Sequence, residues 1–176
     1  MKNLKKIVIA SLVTGLCATS SFCAESTTIF APIAPGVKSI DITLNGESFT
    51  IMRNQAKDAK ISPLYETTFR GTPQPIVLAP GVETLGEIEF IDYMKKAETD
   101  TNIAIIDSRK PGWFARLRIP GAVNVPFTNF EDKDDAADMM EDYMGVKIND
   151  DGSFDFTNAK TLALYCNGYW CGQTPG

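Results

Sequence analysis

Residues 161–175 read TLALYCNGYWCGQTP, and the fold turns on this stretch. Leu162 to Tyr165 is a short apolar run, the pattern of a strand buried in a parallel sheet. It runs directly into Cys166. A Gly-bearing loop follows (Asn167, Gly168, Tyr169, Trp170, Cys171, Gly172), and Gln173-Thr174-Pro175 reads as the opening of a helix. This order delivers a cysteine to the carboxyl edge of the sheet, where open α/β sheets place their ligand sites. Glycines let backbone approach the sulfur closely. Loop N–H groups above a helix N-terminus would form an anion cradle, and its field would lower the Cys166 thiol pKa without a histidine. Cys166 is therefore read as a nucleophile, with a buried structural thiol as the plainer alternative. A Cys166–Cys171 disulfide across the loop is a further open reading, with Cys171 then a resolving thiol.

Working outward, the preceding segments alternate helices with short apolar strands, which predicts an α/β parallel sheet. Thr84-Leu85-Gly86-Glu87 reads as a capping box for a helix over 84–97, with Leu85, Ile88, Ile91 and Met94 at helical spacing. Ile103 to Ile106 reads as a buried strand ending at Asp107. Residues 111–118 read as one or two helical turns, with Trp113 and Phe114 expected in the core. Ala122 to Val125 is a brief extended piece closed by Pro126. The acidic run over 131–144, with Met139, Met140, Tyr143 and Met144 on one side and Gly145 after it, reads as a helix with a solvated face. Asn149 to Gly152 reads as a turn. Residues 25–81 read as a small extension of loops and a hairpin with little core of its own. Its Ser39–Thr43 and Ser48–Met52 arms flank an Asn45-Gly46 turn, and Ile76-Val77-Leu78 is a candidate short strand.

Composition narrows the chemistry. The chain of 176 residues has no histidine, which excludes Ser-His-Asp, Cys-His and zincin mechanisms. Lys2, Lys5 and Lys6 precede an apolar run from Ile7 to Cys17 and a small polar stretch, the pattern of a signal peptide cleaved after Ala24. A periplasmic or secreted location follows, with no stable membrane insertion after signal removal. Bulky Leu16 and Phe22 before Cys17 and Cys23 argue against lipid attachment. Residues 1–24 hold three lysines and no acid, so their removal takes the net charge from −5 to −8. A surface this acidic argues against nucleic acid and anionic membranes as partners. Only Cys166 and Cys171 then remain, and two thiols in an oxidising compartment pair or do chemistry. Two cysteines without histidine make a poor metal site.

Three separated motifs together resemble the rhodanese (thiosulfate sulfurtransferase) domain. They are Ile105-Ile106-Asp107-Ser108-Arg109, the segment Leu117-Arg118-Ile119-Pro120-Gly121-Ala122-Val123-Asn124-Val125-Pro126, and the strand–Cys166–loop. The resemblance covers roughly 82–176, and the extended N-terminus resembles periplasmic single-domain members. It implies an enzyme needing no metal or organic cofactor. The Cys166 thiolate would take a sulfane sulfur from a small sulfur-containing anion or a persulfide. The resulting persulfide would pass that sulfur to cyanide, a protein thiol or a small thiol. Amides of Asn167 to Gly172 would hold donor and persulfide. Asp107 and Arg109 would shape and charge the pocket, although a purely structural ion pair is equally open.

The chain also departs from the family. Arg118 stands where the family usually has His, the loop carries no Lys or Arg, and Cys171 adds a second thiol. The sequence ends at Gly176, before the helix that the loop would open, which reads as a fragment of a longer protein in preference to a truncated, inactive product. Two other functions stay open: a non-catalytic rhodanese-type binding module, and a thiol–disulfide redox protein using Cys166 and Cys171.

Overall fold

A computed structural model describes residues 29–60, 77–168 and 171–174. The leader over 1–24, Ile76, Tyr169, Trp170 and Pro175 lie outside the described residues. Among those described, no helix is long and apolar enough to cross a membrane.

The first element is a hairpin, β1 (Ser39–Leu44) against β2 (Glu47–Met52). Asn45 and Gly46 both have positive φ, 48° and 80°, the turn whose twist matches paired antiparallel strands. Its alternation buries Ile42 and Leu44 and leaves Asp41 and Thr43 outside. Helix α1 (Glu87–Ala97) follows. It starts later than the expected 84–97: Gly86 is the N-cap, with no side-chain cap, and the Glu87 carboxylate pairs with Arg53 at 2.8 Å instead of closing a capping box. Ile91 and Met94 are buried, whereas Ile88 is exposed. Val77 and Leu78 are exposed and form no strand.

The central sheet is parallel, in the order β4-β3-β7: β3 is Ile103–Asp107, β4 Val123–Asn124 and β7 Thr161–Tyr165. Strand β3 lies in the middle because it has neighbours on both edges, and Ile105, Ile106 and Asp107 are all buried. Alternation sends Ile105 and Ile106 to opposite faces. Ile105 packs with Ile91 and Met94 of α1 and with Ile33, Ile42 and Leu44. Ile106 packs with Val125, Val146 and Met144, the last from helix α3 (Lys133–Met144). The N-terminal hairpin thus shares one core with α1 and the sheet.

Two expectations of burial fail. Strand β7 buries only Ala163 fully, and Leu164 is exposed, because β7 is the edge strand among the described residues. Trp113 is exposed too: helix α2 (Pro111–Arg116) is short and buries no residue. Its ring is faced by Arg116 rather than by the core. Helix α3 begins two residues inside the acidic run, at Lys133. Asp132 caps it by accepting from the N–H groups of Asp134 and Asp135, and Gly145 closes it in the left-handed region. Two short paired strands, β5 (Lys147–Ile148) and β6 (Phe154–Asp155), flank the Asn149–Gly152 turn.

One glycine joins the hairpin to the sheet. Gly121 follows Pro120 with φ +74°, and a Cβ there would lie 2.6 Å from the Leu44 carbonyl oxygen. The hairpin turn holds its backbone on both sides. Glu47 accepts from Gly121 N–H at 2.8 Å, and Asn45 Nδ2 donates to Gly121 O at 2.6 Å. Glu47 also pairs with Arg118 at 2.6 Å. Gly36 has nearly the same φ, +75°, but open space around it. Gly121→Ala therefore loses more stability than Gly36→Ala in denaturant unfolding. Backbone strain of about 1–3 kcal/mol is common to both, and the clash with β1 is added only at Gly121.

Candidate functional site

The carboxyl ends of β3 and β7 lie side by side, with Asp107 paired to Tyr165 in the parallel register. Just beyond them the chain places Asp107, Ser108 and Arg109 on one side and Cys166 on the other. All three residues of the first group are buried. Burying a carboxylate and a guanidinium is costly unless each is fully bonded. Here Arg109 Nε lies 2.9 and 3.1 Å from the two Asp107 oxygens, and Nη2 lies 2.6 Å from Oδ2. Asp107 also accepts from the Arg109 backbone N–H at 3.0 Å. Among the described residues no buried side-chain nitrogen or oxygen lacks a partner.

Arg109 has donors left over, and it spends them on the neighbouring loops. Nη2 donates to Leu117 O at 2.6 Å, and Nη1 lies 3.4 Å from Asn167 Oδ1. Its guanidinium also stacks over the Tyr165 ring, 5.5 Å from the centroid. Asn124 Nδ2 clamps the turn from the other side, donating to Asp107 O at 2.9 Å and Arg109 O at 2.8 Å. Burial works against the Asp107 charge, but the Arg109 bonds outweigh it and hold the carboxyl below its ordinary range. The same bonds raise the Arg109 pKa. Burial, and then the adjacent Asp107 carboxylate, push the Tyr165 hydroxyl well above its ordinary value, so it stays protonated. Tyr165 Oη accepts from Ile119 N–H at 3.1 Å.

The cysteine loop is anchored at both ends to this turn. Ser108 donates from N and from Oγ to Tyr165 O, at 3.1 and 3.0 Å, immediately before Cys166. Its only hydroxyl proton is thereby used, so Thr174 is the donor in their 2.5 Å contact at the loop's far end. Between these anchors Cys171 N–H donates to Gly168 O at 2.9 Å. That turn carries Cys171 back onto Cys166, and the two sulfurs are bonded, with their Cα atoms 6.5 Å apart. The Cys171 amide, expected to face the Cys166 sulfur, is thus occupied within the loop. Gln173 Oε1 lies 3.7 Å from Cys171 Sγ and 4.0 Å from Cys166 Sγ. Cys166, Cys171, Arg109 and Thr174 line an open cleft of about 1660 Å³ that also takes in Phe90 and Ile119.

The profile of the rhodanese-like domain matches residues 90–175. Residues 90–175 are a rhodanese-like domain. Neither the comparison with curated proteins nor that with solved structures finds a match. In this rhodanese-like domain the structure brings together Asp107, Arg109, Asn167, Cys166 and Cys171 from the residues singled out by sequence. Gly168 and Gly172 lie in the same loop, and Tyr169 and Trp170 fall outside the described residues. The domain's Arg118, at the position where a histidine was expected, turns to Glu47 of the hairpin. Sequence reasoning missed Ser108, Asn124 and Tyr165. Ser108 and Asn124 stood inside the quoted motifs, but their role is hydrogen bonding across strands, which spacing does not reveal. Tyr165 was read as one more apolar strand residue.

Asp107→Asn removes the negative charge facing a buried Arg109. The expected loss is about 3–5 kcal/mol, read from denaturant unfolding near neutral pH. The pH dependence has a definite sign. The folded-state pKa of Asp107 is depressed, so its contribution is present above pH ~4 and is lost as pH falls through the folded value. The wild-type advantage over Asp107→Asn therefore shrinks on acidification.

Proposed function

We propose that this protein is a sulfurtransferase that moves a sulfane sulfur through a persulfide on Cys166. The observation that carries the reading is the position of Cys166. It follows the last residue of a parallel strand, is tied through Ser108 to the end of β3, and lies within the rhodanese-like domain. In its reduced form the Cys166 thiolate attacks the sulfane sulfur of the donor. The donor's remaining group leaves with the bonding electrons, and a thiophilic acceptor then takes the outer sulfur. No metal or organic cofactor enters these steps.

The surroundings favour a particular donor. Arg109 is committed to Asp107 and Leu117, and the cleft is lined largely by carbon. A doubly charged anion would find little here to balance it, so an organic persulfide or thiosulfonate is better matched than thiosulfate. The acceptor is a protein thiol or a small thiol. The basic and then apolar leader over 1–24 favours work in the periplasm or outside the cell. The Cys166–Cys171 bond favours a second reading, a thiol–disulfide redox protein in which neither cysteine carries extra sulfur.

The test is formation of thiocyanate from benzenethiosulfonate and cyanide by the reduced full chain carrying Cys171→Ser. Cys166→Ser abolishes it, whereas Cys171→Ser with Cys166 intact gains the mass of one sulfur atom on donor alone. Dithiol oxidation without any sulfur uptake in either chain would instead establish the redox reading.

A further inference from the structure

Rhodanese chemistry through one cysteine leaves a second loop thiol unexplained. The loop geometry does not leave Cys171 idle. Both ends of the loop are fixed to the end of β3, through Ser108 to Tyr165 O and through Thr174 to Ser108. Asn167 is in reach of Arg109, and the Gly168–Cys171 turn folds the chain back on itself. Within that frame Cys171 Sγ reaches Cys166 Sγ to bonding contact. A thiol held there meets the inner sulfur of a Cys166 persulfide as an intramolecular nucleophile, ahead of any acceptor that must diffuse in. Gln173 Oε1, 3.7 Å from Cys171 Sγ, is an acceptor in place for its S–H before reaction.

We infer that Cys171 is a catalytic resolving nucleophile that discharges the Cys166 persulfide as hydrosulfide and closes the observed disulfide. This rests on the persulfide reading above and extends it to the fate of the sulfur. The Cys171 proton passes to the outer sulfur, and the Cys171 thiolate attacks Cys166 Sγ. A bond forms between the two cysteine sulfurs, and the bond from Cys166 Sγ to the outer sulfur breaks. The outer sulfur leaves as HS⁻ with the electron pair. It is thereby reduced, and the two cysteine sulfurs are oxidised to the disulfide. An external dithiol then reopens the disulfide by exchange and supplies the two electrons, leaving as its own disulfide. The class of reaction is reductive desulfuration, and the Cys166–Cys171 bond is its oxidised intermediate.

The test takes the reduced full chain, freed of reductant, and mixes it with benzenethiosulfonate. The donor releases benzenesulfinate when Cys166 takes its sulfur, so sulfinate reports the first step and sulfide the second. The wild type is expected to release one equivalent of each and to end two hydrogens lighter, with no sulfur added. Cys171→Ser and Cys171→Ala are expected to release sulfinate alone and to keep one added sulfur atom. Wild type that keeps the added sulfur and releases no sulfide would overturn the inference. So would Cys171 variants that release sulfide as fast as the wild type. Absence of sulfinate from every chain, with folding confirmed by unchanged circular dichroism, would fail the persulfide reading itself and the inference with it.

Discussion

The structure depends on one buried ion pair at the end of its central strand. Asp107 and Arg109 lie two residues apart, where β3 leaves the sheet; the Asp107 side chain is fully buried and that of Arg109 nearly so. Their charges can be sustained only by each other and by neighbouring polar groups. That requirement organises everything around them. Arg109 uses its spare donors on Leu117 O and Asn167 Oδ1, and so draws two different loops to one point. A lysine has neither the planar fork nor the five donors to do this. The donors that Arg109 has left beyond Asp107 thus also reach the cysteine loop, at Asn167.

The N-terminal hairpin enters the same arrangement from the other side. Ile42 and Leu44 complete the core on the α1 face of the sheet. Its turn residues then grip Gly121 by N–H and carbonyl, and Glu47 holds Arg118. The Gly121 segment leads into β4, whose Asn124 braces the Asp107–Arg109 turn. A continuous path of bonds therefore runs from the hairpin to the site, and residues in the early part of the chain help hold a geometry that resides in the rhodanese-like domain.

At the loop itself the observed bond between Cys166 and Cys171 changes what the surrounding chemistry does. A Cys166 bonded to Cys171 has no free thiolate, so in this form it is not a nucleophile. The loop amide that spacing alone would aim at the sulfur is used to make the turn.

Most of the element order is legible in the chain before it folds. Period-two alternation and Asn45-Gly46 are enough for the hairpin, because a two-residue turn with positive φ at both positions admits few residues. Apolar runs that stop at Asp107 and at Cys166 are enough for two parallel strands, and three ordered motifs are enough for the family. These are local properties, carried by residues near one another in the chain. The long-range partner that each residue takes is set by the folded chain. Folding gave Glu87 to Arg53 rather than to a capping box, left Trp113 in solvent, and among the described residues put β7 at an edge. It also joined Cys166 to Cys171, a pairing the sequence left open. The physical reason is that caps, ion pairs and burial are competitions among groups far apart in sequence, and their outcome depends on distances that only the folded chain sets.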